Sequence, residues 1–500
     1  MKHLTNLLNR YSMYKIVSGA LTILFVIALL LSLLGHISYS PLAMIASLLV
    51  LGFSVYLTSV LFGYLFGVKI HAESSFITGI ILFFLFTPTL ELSGLAILFL
   101  VGMIAGASKF LLAYRGRHIF NPVALAAFAI SLTGLAYASW WVATPVLILP
   151  TFILGFAILQ KTRRVPSSGT FLAFATVLLI ASLMLQGESF GQSLMLWLSW
   201  PILFLSSFML TEPLTLPQKK WQTIVEAVIV AILFAVPFQI GDFSSSPAFA
   251  LLIGNLYAFI CSRRRSIKLS FIEQKQLTPT TLEFVFKPSR PLLHEAGQYI
   301  EIMVPAKKDD FRGSRRSFSI TSAPGEETLR LGIKFYEPSS SMKKALRELK
   351  KGMVIQATGI SGDFTLPKDT SIPLLYVAGG IGITPFISHL QQLKKAGEKR
   401  DIVLFYSIIN ESELAYKDIL VASGIAVVVV TKTETPLNLP SGWIHANEPY
   451  ISQESVLKYV PDVATRRAFI SGPPAMIDGT KKHLSTLRTK HVKTDYFIGY

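Results

Sequence analysis

The segment Arg315-Arg316-Ser317-Phe318-Ser319-Ile320-Thr321-Ser322 places a guanidinium, an aromatic ring and a hydroxyl within four consecutive residues. Period-two alternation puts Arg316, Phe318 and Ile320 on one face of a strand and Ser317, Ser319 and Thr321 on the other. Such groups suit a flavin: Arg316 for a diphosphate, Phe318 against an isoalloxazine ring, Ser319 toward a ring nitrogen. The same alternation also fits an ordinary exposed strand. Downstream, residues 374–385 are an apolar run ending in a turn that contains Gly379, Gly380, Gly382 and Thr384, followed by a helical pattern from Phe386 to Lys395. Backbone N–H groups at such a turn can approach a pyrophosphate, although Gly-Gly-x-Gly also fits a plain strand-to-helix turn. A third segment, Phe469-Ile470-Ser471-Gly472-Pro473-Pro474-Ala475-Met476, is a buried strand running into a rigid turn and another helix.

The elements that position these groups occupy only part of the chain. Hydrophobic residues make up 52% of the 500, yet the long charged stretches all lie after residue 260. Before that point come about ten apolar runs: 15–35, 42–67, 75–88, 94–113, 120–136, 145–159, 170–186, 193–211, 223–238 and 247–261. Several are shorter than the roughly 20 residues of a perpendicular crossing, which predicts broken or half-buried helices among them. Met1–Lys15 is polar, and no cleavable signal is expected. Lys2, Arg10, Lys15, Lys69, Lys109, Arg115, Arg117, Lys161, Arg163, Arg164, Lys219, Lys220 and Arg263 to Arg265 fall at every second boundary. The intervening loops hold Glu91, Glu188 and Asp242 without Lys or Arg. That bias predicts a multi-pass protein of the cell (inner) membrane, its partner the lipid bilayer, with both termini and the charged region cytoplasmic. It also accounts for the net charge of +17, so no nucleic-acid partner is expected.

Cys261 is the only cysteine, so the chain alone cannot ligate an iron–sulfur cluster through cysteines. Of nine histidines, His36, His71 and His118 sit at loops or helix ends and no apolar run holds a spaced pair, so no haem is expected; no metal site is expected either. Polar groups at the ends of apolar runs need a role: Thr78 in Ser75–Pro88, Asn121-Pro122 after His118, Thr211-Glu212-Pro213, and Asn255. Each is either a cap and stop signal or a half-helix end pointing inward at a cofactor or ion.

On these motifs, residues 265–500 resemble the ferredoxin-NADP⁺ reductase superfamily, with its Arg-x-aromatic-Ser strand, Gly-Gly-x-Gly-x-Thr-Pro turn and Gly-Pro turn in the same order. His294-Glu-Ala-Gly-Gln-Tyr299 is similar to the segment before the flavin strand. The resemblance implies FAD on an antiparallel β-barrel over 265–370 and NAD(P)H on a doubly wound α/β domain over 371–500. Arg316, Ser317, Phe318 and Ser319 would contact FAD, with Ser341 at a pyrophosphate position next to Ser339, where a Gly is common. Gly379, Gly380, Gly382, Gly472 and Pro473 would form the nucleotide turns. Ser319, Thr384 and Ser471 would line the reacting centre, Ser471 replacing a common Cys, and terminal Tyr500 would cover the flavin. Ser407-Ile-Ile-Asn410-Glu411 lacks a basic reader of a 2′-phosphate, which favours NADH, although Lys432 could serve.

Residues 40–260 resemble the RnfD/NqrB family through His118-Ile-Phe-Asn-Pro-Val-Ala, the Ser75-x-x-Thr-Gly run and Phe208-Met-Leu-Thr-Glu-Pro-Leu-Thr. This implies a transmembrane domain over 15–261, after a cytoplasmic segment 1–14, of about ten helices holding FMN or another second flavin near Thr78, Asn121, Thr211 and Glu212. Thr144 is the candidate for covalent attachment, although the motif's acidic residue and Ser are replaced by Ala138 and Trp141; Trp140 and Trp141 are expected in an interfacial belt. The expected activity is electron transfer from NAD(P)H through FAD to a quinone or an extracytoplasmic flavoprotein. Alternatives are a redox-driven ion pump or transporter, and a reductase merely anchored by its helices.

Overall fold

The computed structural model describes residues 12–67, 70, 72–114, 117–217, 219–236, 238–240, 243–261, 267–304, 315–433 and 436–497. Two compact units divide the chain, Met1–Arg263 and Arg264–Tyr500.

The first unit is helical: α1 (Met13–Leu33), α2 (Pro41–Leu65), α3 (Ala72–Leu85), α4 (Leu92–Leu111), α5 (Pro122–Leu132), α6 (Pro145–Thr162), α7 (Val165–Leu185), α8 (Phe190–Leu198), α9 (Ile202–Met209), α10 (Lys220–Ala235) and α11 (Pro247–Cys261). Starts follow local chemistry. Ser12 and Ser40 accept N–H bonds in the first turns of α1 and α2, and Asn121 caps α5 just before Pro122. Every apolar run of the sequence contains a helix, and, as the run lengths predict, several of these helices are short or broken. Among the described residues, five helices (α1, α2, α4, α6 and α7) are long and apolar enough to cross a membrane, or six if α8 and α9, bent by 50° at the Ser199–Pro201 break, count as one. α3, α5 and α11 are apolar but shorter, between 10 and 17 residues.

Small residues set the helix spacing, as interfaces without a hydrophobic driving force require. A side-chain carbon at Gly102 of α4 would lie 1.9 Å from Ser54 Oγ of α2, and one at Gly106 would lie 2.8 Å from Thr58 Cβ. The expectation for Trp140 and Trp141 is corrected. Both are buried, and Trp141 donates its indole N–H to the Phe83 carbonyl (2.6 Å) while packing edge-on to Phe83 and Tyr39. A buried carbonyl in need of a donor outcompetes the interface for these rings.

The second unit has two sheets. Strands β1 (Ile267–Thr278), β2 (Thr281–Pro288), β3 (Tyr299–Met303), β4 (Arg315–Ser319), β5 (Leu329–Lys334) and β6 (Val354–Ser361) form an antiparallel sheet in the order β4-β3-β6-β1-β2-β5. Its outer strands are joined by a bridge between Ile320 and Leu331, which curls the sheet toward a barrel. The core takes Leu269, Phe284, Ile300, Ile302 and Leu331. β7 (Leu374–Gly379), β8 (Ile402–Ser407), β9 (Ala426–Val430), β10 (Ile444–Ala446), β11 (Arg467–Gly472) and β12 (Val492–Tyr496) form a parallel sheet in the order β10-β9-β8-β7-β11-β12. Apolar residues on both faces of β7 and β8, Tyr376 and Tyr406 among them, explain why these strands read as unbroken hydrophobic runs. Inside this unit, Glu413 binds Lys334 (2.6 Å) and Thr280 (2.9 Å), and Ser388 donates to the Ser322 carbonyl (3.0 Å), fastening one sheet to the other.

Candidate functional site

The parallel sheet reverses its winding beside β7. The next strand in sequence, β8, lies on one side and β11 on the other, and the carboxyl ends of β7 and β11 form the crevice where this architecture takes ligands. Both ends carry glycine turns because the backbones nearly touch. A side-chain carbon at Gly382 would lie 2.3 Å from the Ser471 carbonyl oxygen and 2.7 Å from Gly472 Cα; one at Gly379 would lie 2.9 Å from Pro473 Cδ. Gly380 differs: its φ is +52° and nothing lies within 4 Å of the missing side chain, which leaves backbone open at the head of α13 (Thr384–Ala396). This open cradle fits a diphosphate.

Thr384, expected at the reacting centre, is fully buried, donates its hydroxyl to Ile381 O (3.0 Å), and packs its methyl near Gly332 of β5. Its hydroxyl is spent on its own turn. Ser471 is fully buried with no hydrogen-bond partner for its hydroxyl among the described residues. Ser319, at the end of β4, donates to Asp495 Oδ2 across 3.4 Å, and Asp495 is the register partner of Ser471 in the neighbouring strand β12. Asp495 is the residue that motif reading passed over. Its only sequence signal is an acidic residue in an otherwise aromatic terminal stretch.

On β4 the alternation holds as far as Phe318, which packs on the barrel core, while Ser317 is exposed and Arg316 half-buried, with its guanidinium on the Arg315 carbonyl (2.6 Å). From Ser319 to Ala323 every residue is buried, because the chain there runs between the two sheets. Ser341 is the first residue of a short helix, α12 (Ser341–Arg347), capped by Ser340, and Ser339 donates to the Tyr336 carbonyl. Glu411, after β8, accepts from Asn438 N (3.0 Å), and Lys432 is exposed after β9. Tyr500 and the basic run Arg263 to Arg265 lie outside the described residues.

In the helical unit, the structure joins two of the four candidate residues. Asn121 donates to Glu212 Oε2 (2.9 Å), His118 Nε2 lies 2.8 Å from Glu212 Oε1, and Asn255 Oδ1 accepts from Asn121 N (2.8 Å). Asn121 is therefore a cap and an inward-facing tie at once. Thr78 and Thr211 do not join this cluster through their hydroxyls, which bond Ser74 O (2.8 Å) and Ser207 O (2.7 Å) of their own helices. The carbonyl four residues back is the nearest acceptor for a helical Thr. Thr144 precedes α6, and its hydroxyl has no partner among the described residues.

Residues 376–482 match the family model for the oxidoreductase NAD-binding domain. The Bacillus cereus flavohemoprotein is 30% identical over 127 residues, 24% of this chain and 31% of that protein. The Acinetobacter pittii phenol hydroxylase P5 protein is 27% identical over 239 residues, 45% of this chain and 64% of that one. The reductase component of Rhodococcus jostii propane 2-monooxygenase is 26% identical over 216 residues, 41% and 56% of the two chains. Among solved structures, the cytochrome P450 reductase of Amycolatopsis aligns over 47% of this chain and 70% of its own with 21% identity and a TM-score of 0.41. The chain spans about a third of the length of the first curated relatives it matches. Within the C-terminal unit, the similarity to an oxidoreductase NAD-binding domain thus falls on residues 376–482, the part that holds most of the parallel sheet.

Proposed function

We propose that this protein is a membrane-bound flavoprotein oxidoreductase that takes reducing equivalents from cytoplasmic NAD(P)H and delivers electrons into or across the bilayer, to a quinone, a second flavin or an extracytoplasmic flavoprotein. The observation that carries the reading is the convergence of Ser319, Asp495 and Ser471 beside two glycine turns, in a chain that also holds five membrane-length helices. Bound along β4, FAD would supply hydride acceptance and single-electron release.

The chain's own residues divide the remaining work. Arg316, Ser317, Phe318 and Ser341 would hold FAD on a barrel over 265–370. Gly379, Gly380, Gly382, Gly472 and Pro473 admit the dinucleotide to an α/β domain over 371–500. Thr384 keeps the Gly380–Ile383 turn against the barrel. Ser319 presents a hydroxyl oriented by Asp495, and the unsatisfied Ser471 hydroxyl awaits a polar group of the ligand. Tyr500, outside the described residues, would cover the flavin, and residues 15–261 would form the membrane domain. The absence of a basic reader after β8 favours NADH.

The purified full-length protein is expected to show flavin absorption that bleaches on adding NADH. Colourless protein that fails to bleach after reconstitution with FAD overturns the proposal. Ser319→Ala is expected to slow that bleaching about tenfold, the size of one lost hydrogen bond, with FAD content unchanged. Stopped-flow absorbance against bound-flavin content checks this. Equal activity toward the physiological acceptor by a 265–500 fragment would reduce the helices to an anchor.

A further inference from the structure

The helical unit also holds a fully buried carboxyl whose surroundings are the reverse of those of the half-buried Glu212. Glu226, in the second turn of α10, is 1% exposed, and neither of its carboxyl oxygens has a hydrogen-bond partner among the described residues. Its neighbours are apolar or already engaged. Thr223, one turn earlier, donates its hydroxyl to Lys220 O (2.7 Å). Asn255 of α11 accepts from Asn121 N. Gly254 of α11 faces it directly: a side-chain carbon there would lie 3.5 Å from Glu226 Cγ, 3.8 Å from Oε1 and 2.4 Å from Val230 Cγ2. The glycine leaves the room in which the carboxyl lies.

An ionised carboxylate placed there would forgo water without gaining a donor, at a cost of several kcal/mol. A protonated one carries no charge and exposes a single O–H. α10 packs against α7 and α11, and the charged and titratable groups acting on the site are few. From the head of α7 the Arg164 charge reaches Glu226, from α11 Tyr257 senses it, and on α10 itself Lys219 and Lys220 stand at the helix start. Glu212 is bonded through both carboxyl oxygens, whereas Glu226 has no donor on either oxygen among the described residues.

We infer that Glu226 is a proton-binding site of the helical bundle, a carboxyl that holds its proton at neutral pH because it is buried without a donor. This goes beyond the proposed electron transfer, since it concerns a proton and a residue outside the site described above. Balance is simple: the carboxyl loses one proton to water or to a bound base, and no electron moves.

The test uses full-length protein, oxidised and without nucleotide, so its outcome is independent of whether NAD(P)H is the donor. Infrared difference spectra between wild type and Glu226→Gln at pH 7 should show the loss of one protonated-acid carbonyl band, shifted in heavy water. That band should give way to carboxylate absorption on raising the pH. A spectrum in which the variant loses carboxylate absorption at pH 7, or loses nothing, overturns the inference. Thermal stability gives a second reading: Glu226→Leu should unfold at or above the wild-type temperature if the site holds an unpaired acid. A marked fall would mean that an ionised, paired Glu226 had been removed, and would overturn it.

Discussion

Gly382→Ala is expected to impair nucleotide binding, with a loss of up to about 100-fold in the rate of flavin reduction at fixed NADH. The position has no slack. The added methyl would lie 2.3 Å from the Ser471 carbonyl oxygen and 2.6 Å from its carbon, and both obstacles are backbone, which cannot rotate away. Relief requires the ends of β7 and β11 to part, opening the crevice that the two turns form. Overpacking of a rigid site costs about 1–3 kcal/mol, and about 1.4 kcal/mol is a factor of ten. Gly380→Ala is the internal control. It has open space but a φ of +52°, so its cost is conformational, about 1 kcal/mol, and its effect should be about tenfold or less. Rapid-mixing absorbance over a range of NADH concentrations separates the two. Equal behaviour of the two variants would mean that the contact between turns is not what positions the nucleotide.

The second large effect is acid lability of the C-terminal unit. His389 on α13 is fully buried; its Nε2 lies 2.8 Å from the Phe364 carbonyl and its Nδ1 3.1 Å from the Tyr376 hydroxyl. The carbonyl can only accept, so Nε2 carries the hydrogen and Nδ1 accepts from Tyr376, the neutral tautomer. Burial pushes the imidazole pKa down from 6.5 to about 4, against the Phe364 bond, which favours the charged form, and with the Lys493 charge adding to the fall. The folded pKa is depressed, so between pH 6.5 and about 4 the unfolded chain binds a proton that the folded one refuses. The stabilisation is complete above pH 6.5 and is lost as pH falls toward 4, by about 3 kcal/mol in all. His389→Gln can keep a donor to Phe364 without a titrating group. It should lower stability at pH 7 by about 1 kcal/mol and flatten the decline below pH 6.5. Denaturation midpoints from pH 4 to 8 on both proteins check this, and parallel profiles would remove His389 as the cause.

His389 also shows how one residue ties local and distant structure. Its partner Phe364 lies on the segment leading from the barrel to the parallel sheet, and Gly297, before β3, has a φ of +87° with its missing side chain only 2.4 Å from His389 Nε2. Three segments far apart in the chain meet on one imidazole. Nothing in the run Phe386–Lys395 marks it for that task. Its helical spacing places His389 on the apolar face and says no more.

The legible part of this molecule was whatever depends on neighbours in sequence. Strand β4, the glycine turns and the helix that follows them rest on short-range steric and capping rules, so Arg316, Phe318, Ser319, Gly379 and Gly382 could be singled out from residue order alone. Asp495 could not, because it reaches Ser319 across 176 positions from a strand of the other sheet, and a side-chain contact at that separation leaves no periodic trace. The same division runs through the helical unit. Capping residues such as Asn121 and Ser40 announce helix starts, and hydropathy announces apolar runs. Which of those runs are long enough to cross a bilayer was settled by where Pro201 breaks α8 from α9 and where short helices such as α5 end. Whether an acid of the helical unit is tied down like Glu212 or left alone like Glu226 depended on partners 91 and 94 residues away for the first and on none among the described residues for the second. Residue order determines local shape because torsions and caps act over a few bonds; only packing brings distant polar groups together, and there the chemistry is decided.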